Sequence, residues 1–143
     1  MNGQQVVTTE SFAKRLSDLC LRSGMSGLPR DEASRHVLFT SMVTGLPVDA
    51  SLGEQEVNAH LARWIATSGI KELDHITLRR CLVDAGYLDR RADGSGYRVA
   101  AAPPGRPPLE AGVATLDLGA VLEARREEMA RRKAEFLARS GKH

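Results

Sequence analysis

Residues 74–98 read as one short amphipathic helix running directly into a charged hairpin, and that pairing limits the fold more than any other stretch of the chain. Leu78, Cys81, Leu82 and Ala85 stand at i, i+3, i+4 and i+7, the spacing of one helix face, and Gly86 follows where a left-handed residue ends a helix. This facing turns Ile76, Arg79 and Arg80 away from the core. Tyr87 and Leu88 then lead through Asp89, Arg90 and Arg91 to Asp93-Gly94, a pair suited to a tight turn of positive φ, before Tyr97, Arg98 and Val99 return. The pattern predicts a mainly α fold with a small β-hairpin: a winged helix-turn-helix with flanking N-terminal and C-terminal helices.

Three helices are predicted upstream. Phe12, Leu16, Leu19 and Cys20 keep helical spacing after the candidate caps Thr8 and Thr9, and Ser23-Gly24 ends that pattern, which gives a helix over about 9–23. Leu28-Pro29-Arg30-Asp31 opens a second helix to about Thr44, with Ala33, Val37, Leu38, Met42 and Val43 as its apolar stripe and Gly45 and Pro47 as its end. Ser51-Leu-Gly-Glu54 has the form of a capping box, and Val57, Leu61, Trp64 and Ile65 follow at helical spacing. The turn over 67–72 is longer than the usual link of a helix-turn-helix. Leu38, Val57, Leu61, Trp64, Leu78 and Leu82 are the expected core, with Leu88 beneath the wing.

Beyond Val99, the prolines at 103, 104, 107 and 108 mark an extended linker. From Leu116 to about Arg139 a charged helix is expected, whose apolar stripe of Leu118, Val121, Leu122, Met129, Phe136 and Leu137 is interrupted by Arg125, Arg126, Arg132 and Lys133. A lone helix of that kind is marginal in water, so docking is expected on its own domain, a second copy or another protein. The chain thus divides into an N-terminal helical extension (1–27), a winged-helix domain (28–99), a Pro-rich linker (100–115) and a C-terminal helix (116–143).

Composition narrows the function classes. With 42% hydrophobic and 27% charged residues in 143, the chain suits one ordered domain with extensions, and 4% aromatics mean an aliphatic core. A formal net charge of +2 leaves any attraction for phosphate to local clustering. Cys20 and Cys81 fall on apolar helix faces, where free cysteine behaves as a small hydrophobe. No apolar run approaches the ~20 residues of a membrane span and the start has no signal-peptide order, so a cytoplasmic protein without a membrane partner is expected. His36, His60, His75 and Cys81 have no paired metal-ligand spacing, and no glycine-rich phosphate loop, nucleophile elbow or zinc-protease string occurs. Neither metal nor cofactor nor enzymatic activity is expected.

Taken in order, Leu28-Pro29, Glu54-Gln-Glu-Val-Asn58, Asp74, Thr77-Leu-Arg-Arg80, Leu82-Val-Asp-Ala-Gly-Tyr-Leu-Asp-Arg90 and Asp93-Gly-Ser-Gly-Tyr-Arg98 resemble the bacterial family named domain of unknown function 2087, over about residues 28–99. The resemblance implies a small winged-helix-like domain, sometimes joined to transcriptional regulators of the arsenic-repressor type, and implies no ligand or reaction. Cys81, the long connection to Glu72 and the Arg98-Val99 ending depart from the family pattern.

On this reading the chain is a DNA-binding transcriptional regulator. Arg79 and Arg80 would meet the major groove of double-stranded DNA, His75 and Thr77 would add phosphate contacts at the helix start, and Arg90, Arg91 and Arg98 would touch the backbone from the wing. The plainer alternative pairs Arg79 and Arg80 with Asp84, Asp74 or the third helix. Two half-sites call for a homodimer, for which Leu118, Val121, Leu122, Met129 and Phe136 are the candidate contacts. The competing function is a non-enzymatic interaction module that docks on a protein partner through the same fold or through the C-terminal helix. Glu54 and Asn58 are read as helix-start and turn-fixing residues.

Overall fold

Among the described residues, four of the five helices start at a side chain that takes up one of the amides a helix leaves free at its N-terminus. The computed structural model describes residues 6–21, 27–100 and 109–141, and in chain order holds α1 (Thr9–Leu21), α2 (Glu32–Val43), α3 (Glu54–Ser68), α4 (His75–Asp84), β1 (Leu88–Arg90), β2 (Tyr97–Val99), a 3-10 turn (Ala111–Thr115) and α5 (Leu118–Ser140). Thr8 Oγ1 accepts from Ser11 N at 3.1 Å, and Asp31, Asp74 and Asp117 accept from Ser34 N, Thr77 N and Ala120 N, each at 2.9 Å.

The start of α3 departs from the Ser51 capping box expected above. Leu52 exchanges both backbone hydrogen bonds with Tyr97, each 2.8 Å long, and this bridge holds the chain extended one residue before the cap. Gly53 therefore takes the cap position, and Glu56 rather than Glu54 reaches back, accepting from Gly53 N at 3.1 Å. Gly96 has to be a glycine for the same reason, because a Cβ there would stand 2.7 Å from the Leu52 carbonyl oxygen. Strands β1 and β2 pair antiparallel, with Leu88 opposite Val99 and Arg90 opposite Tyr97, and Gly94 turns the hairpin at φ +75°.

A mainly α fold with a small β-hairpin is what these elements make. Leu38, Val57, Leu61, Trp64, Leu78, Leu82 and Leu88 lie in one buried cluster. Helix α2 is more completely covered than its predicted stripe: His36 and Phe39 are also buried, while Ala33 in its first turn is exposed. The reason is Tyr87, which follows α4. Its hydroxyl lies 2.6 Å from His36 Nδ1 and its ring meets Phe39 edge-on at 5.3 Å between centroids, so α2 is packed from the hairpin side as well as by α1. Cys20 and Cys81 are free and half-buried against the core.

The flanks close the other side. Val7 bridges Leu109, Thr9 N donates to Glu110 Oε1 at 2.8 Å, and the 3-10 turn packs on α1. Part of the segment read as linker is therefore ordered against α1, while all four prolines lie outside the described residues. Helix α5 starts at Leu118 rather than Leu116 and lays its first half on α1 and α3, with Leu122 fully buried. The predicted stop of the first helix at Ser23-Gly24 falls outside the described residues, and α1 ends at Leu21.

Candidate functional site

The face of α4 that leaves the core is set by Leu78 and Leu82, both fully buried. Opposite them Ile76, Thr77, Arg80 and Asp84 are exposed, and 76, 80 and 84 stack at i+4 intervals. Arg79 does not share that face. Its side chain retains only 16% exposure, its Nη1 donates to Asn58 Oδ1, its Nη2 stands 3.7 Å from Glu54 Oε1, and its guanidinium carbon lies 5.7 Å from the Tyr97 ring centroid. One guanidinium thus joins α3, α4 and β2, and the outward direction expected for it is corrected: successive helix residues are about 100° apart, enough to turn Arg79 toward α3 while Arg80 stays in solvent.

Thr77 is likewise engaged at home. Its amide and its hydroxyl both donate to the Asp74 carboxylate, at 2.9 and 2.8 Å, so its one hydroxyl hydrogen is committed to the cap. Those two bonds, the amide's first, hold the Asp74 carboxyl below the usual carboxylate range. His75 is half-buried at the first position of the helix.

The hairpin carries the remaining cations. Arg90, Arg91 and Arg98 are exposed, as is Arg80, and none of the four is in an ion pair among the described residues. Arg98 stands across from Asp89, and Asp93 accepts from Ser95 N at 2.9 Å to hold the turn; the Ser95 side chain first and its amide second keep the Asp93 carboxyl below the usual carboxylate range. The outer surface of α4 and the hairpin is a mixed one, with three arginines against Asp89 and Asp93 on the hairpin.

The five residues proposed for a dimer or partner contact do not share one surface. Leu122 is fully buried and Leu118 and Val121 half-buried against the chain's own body, whereas Met129 and Phe136 are exposed, Phe136 by 68%. The docked half is fastened by Arg125, whose Nη2 lies 3.2 Å from Asp18 Oδ1 and whose Nη1 lies 3.5 Å from Glu128 Oε2. From Met129 to Gly141 every residue is exposed.

The alternative pairing of Arg79 with the third helix is what the structure shows, through Glu54 and Asn58, while Tyr97 was not expected beside it. No local signal names these side chains, since the contact joins residues 21 apart. Among the described residues no group of three or more His, Cys, Asp or Glu side chains is placed to hold a metal ion, and no helix is long and apolar enough to cross a membrane. Burial pushes the Cys20 thiol up to about 11, with Arg126 partly offsetting it. His60, whose Nε2 lies 2.7 Å from the Met42 carbonyl oxygen, is held below its ordinary 6.5 by burial above all.

No curated protein and no solved structure matches the chain. The family model described as an uncharacterized protein conserved in bacteria matches residues 25–99, a span that runs from the approach to α2 through the end of β2 and takes in Asn58, Arg79 and Tyr97 together. The chain belongs to that family, DUF2087.

Proposed function

We propose that the chain is a DNA-binding regulator that meets a duplex through the outer face of α4 and the hairpin. The observation that carries this reading is the set Arg80, Arg90, Arg91 and Arg98, exposed on adjoining elements and free of carboxylate partners among the described residues. The chain order of helix α2, bridging residue Leu52, helices α3 and α4 and a hairpin supports a winged-helix reading, in which α4 enters the major groove and the hairpin touches the backbone. Of the residues expected on DNA, Arg80 and the three hairpin arginines are available, His75 is partly so, and Arg79 and Thr77 serve by holding the others in place. A homodimer reading two half-sites belongs to the same proposal.

The test is selection from a random duplex pool followed by anisotropy titrations at two salt concentrations. Binding should weaken steeply with salt, and Arg80→Ala with Arg90→Ala and Arg91→Ala should weaken it further without lowering the melting temperature. Absence of binding in the wild type at low salt refutes the reading. A second reading, a protein-interaction module, is favoured by one observation: α5 leaves the body with Met129, Phe136 and Leu137 uncovered, Leu137 by 57%.

A further inference from the structure

The charge of the chain is unevenly placed. Residues 25–99, the family region, hold nine Lys and Arg against ten Asp and Glu, and residues 1–128 hold fifteen against seventeen. The last fifteen residues, 129–143, hold five against the single Glu135. A body of net negative charge has little general attraction for a polyanion, because that attraction scales with the number of phosphates its cations neutralise. The free half of α5 is where the surplus cations are.

We infer that residues 129–141 form a cationic arm that binds the sugar-phosphate backbone of duplex DNA, supplying counter-charge that the family region lacks. The inference rests on the DNA-binding reading above and adds a second contact to it. The whole arm is exposed and helical to Ser140, so it projects about 18 Å at 1.5 Å per residue. Arg132 is held by Glu128 at 2.6 Å, while Arg131, Lys133 and Arg139 have no carboxylate partner among the described residues. Arg131 and Lys133 are two residues apart and so leave opposite sides of the helix. A flat anionic surface such as a bilayer satisfies one side only, whereas a helix lying between two rows of phosphates uses both. Self-pairing of two arms is disfavoured because each carries four cations against one carboxylate.

The test uses the full chain. Wild type and the triple variant Arg131→Gln, Lys133→Gln, Arg139→Gln are titrated against a fluorescent 24-base-pair duplex at several salt concentrations. Three lost phosphate contacts should lower the slope of log affinity against log salt by about 2–3 and weaken binding at least tenfold at low salt, with the melting temperature unchanged. Phe136→Gln with Leu137→Gln should leave both quantities as in wild type. A triple variant with the wild-type slope overturns the arm while leaving the DNA reading intact. Loss of duplex binding on the Phe136 and Leu137 changes alone overturns it in favour of an apolar docking role. Cosedimentation with vesicles of three parts phosphatidylcholine to one of phosphatidylglycerol, abolished by the triple variant while the duplex slope is not, overturns it in favour of a membrane surface. A wild type that binds no duplex at all refutes the DNA-binding reading itself.

Discussion

Replacing Arg79 separates a fold-holding arginine from a ligand-binding one, because its neighbour Arg80 provides the control one residue away. In Arg79→Ala the Asn58 side-chain oxygen loses a charged donor, the Tyr97 ring loses the cation above it, and Glu54 loses a nearby positive charge. A hydrogen bond to a charged group contributes about 1.5–3 kcal/mol and a partly covered cation–π contact about 0.5–1 kcal/mol. Glu54 is largely exposed, so its ion pair adds little. The three are not independent, since one group makes them all, and an effect of about 2–3 kcal/mol is expected. For a chain of this size that is a fall in melting temperature of roughly 5–12 °C.

Thermal melts followed by circular dichroism give the answer. Arg79→Ala should show the full fall, Arg80→Ala should stay within about 0.5 kcal/mol of wild type, and Arg79→Lys should fall nearly as far as Ala because an ammonium cannot span Asn58 and Glu54 while covering the Tyr97 ring. A double-mutant cycle with Asn58→Ala should return a coupling of about 1–2 kcal/mol. Equal melting temperatures for the Arg79 and Arg80 variants would refute the argument, and with it the claim that α3, α4 and the hairpin are fixed through one side chain.

Three further outcomes are expected. Leu122→Ala should cost about 2–5 kcal/mol in a denaturant melt, because the side chain is fully buried at the join of α5 with the body and its removal leaves a cavity. His60 titrates below 6.5 in the folded chain and at its ordinary value when unfolded, so below that value the unfolded state takes the proton first. The stability present above pH 6.5 is therefore lost as pH falls below it, and melts across pH 7.5 to 5.5 should show a shallower loss in His60→Gln. A chain cut to residues 25–99 should unfold less cooperatively than the full chain in calorimetry, since the cut removes the helices that cover α2 and α3.

Local signals in the sequence were read correctly where one element answers for itself. The Leu28–Asp31 string opens α2, Gly86 takes φ +86° after α4, and Gly94 turns the hairpin, because each outcome depends on bonds within a few residues. What could not be read were contacts between distant segments. Ser51 and Glu54 form a good capping pattern on paper, but the Leu52–Tyr97 bridge joins segments 45 residues apart in the chain and takes the backbone first. The Leu78 and Leu82 face leaves Arg79 a choice between solvent and the third helix, and the carboxamide of Asn58 that decides it belongs to another helix. At the C-terminus the apolar stripe gave docking but not its extent. Leu122 and Phe136 occupy equivalent heptad positions, yet one is buried against the body and the other is exposed, a difference set by what packs on α5 and not by its own pattern.

The boundary of the family region is therefore not the boundary of the folding unit. Phe12 and Leu16 of α1, Val113 of the 3-10 turn and Leu122 of α5 are each no more than 2% exposed, as covered as Leu78 and Leu82 at the centre of the family region, yet all four lie outside residues 25–99. Val7–Leu109 and Thr9–Glu110 fasten the start of α1 to the chain beyond the prolines, and α5 then packs on α1 and α3. That covered side leans on α1 and α3, while the residues offered for DNA stand on α4 and the hairpin. Stability and contact are thus assigned to different elements: changes in Phe12, Leu16 or Leu122 should act on folding alone, and changes in Arg80 or the hairpin arginines on binding alone. Arg79 is where the two meet, since its loss unfixes the elements that carry the contact without removing an exposed charge.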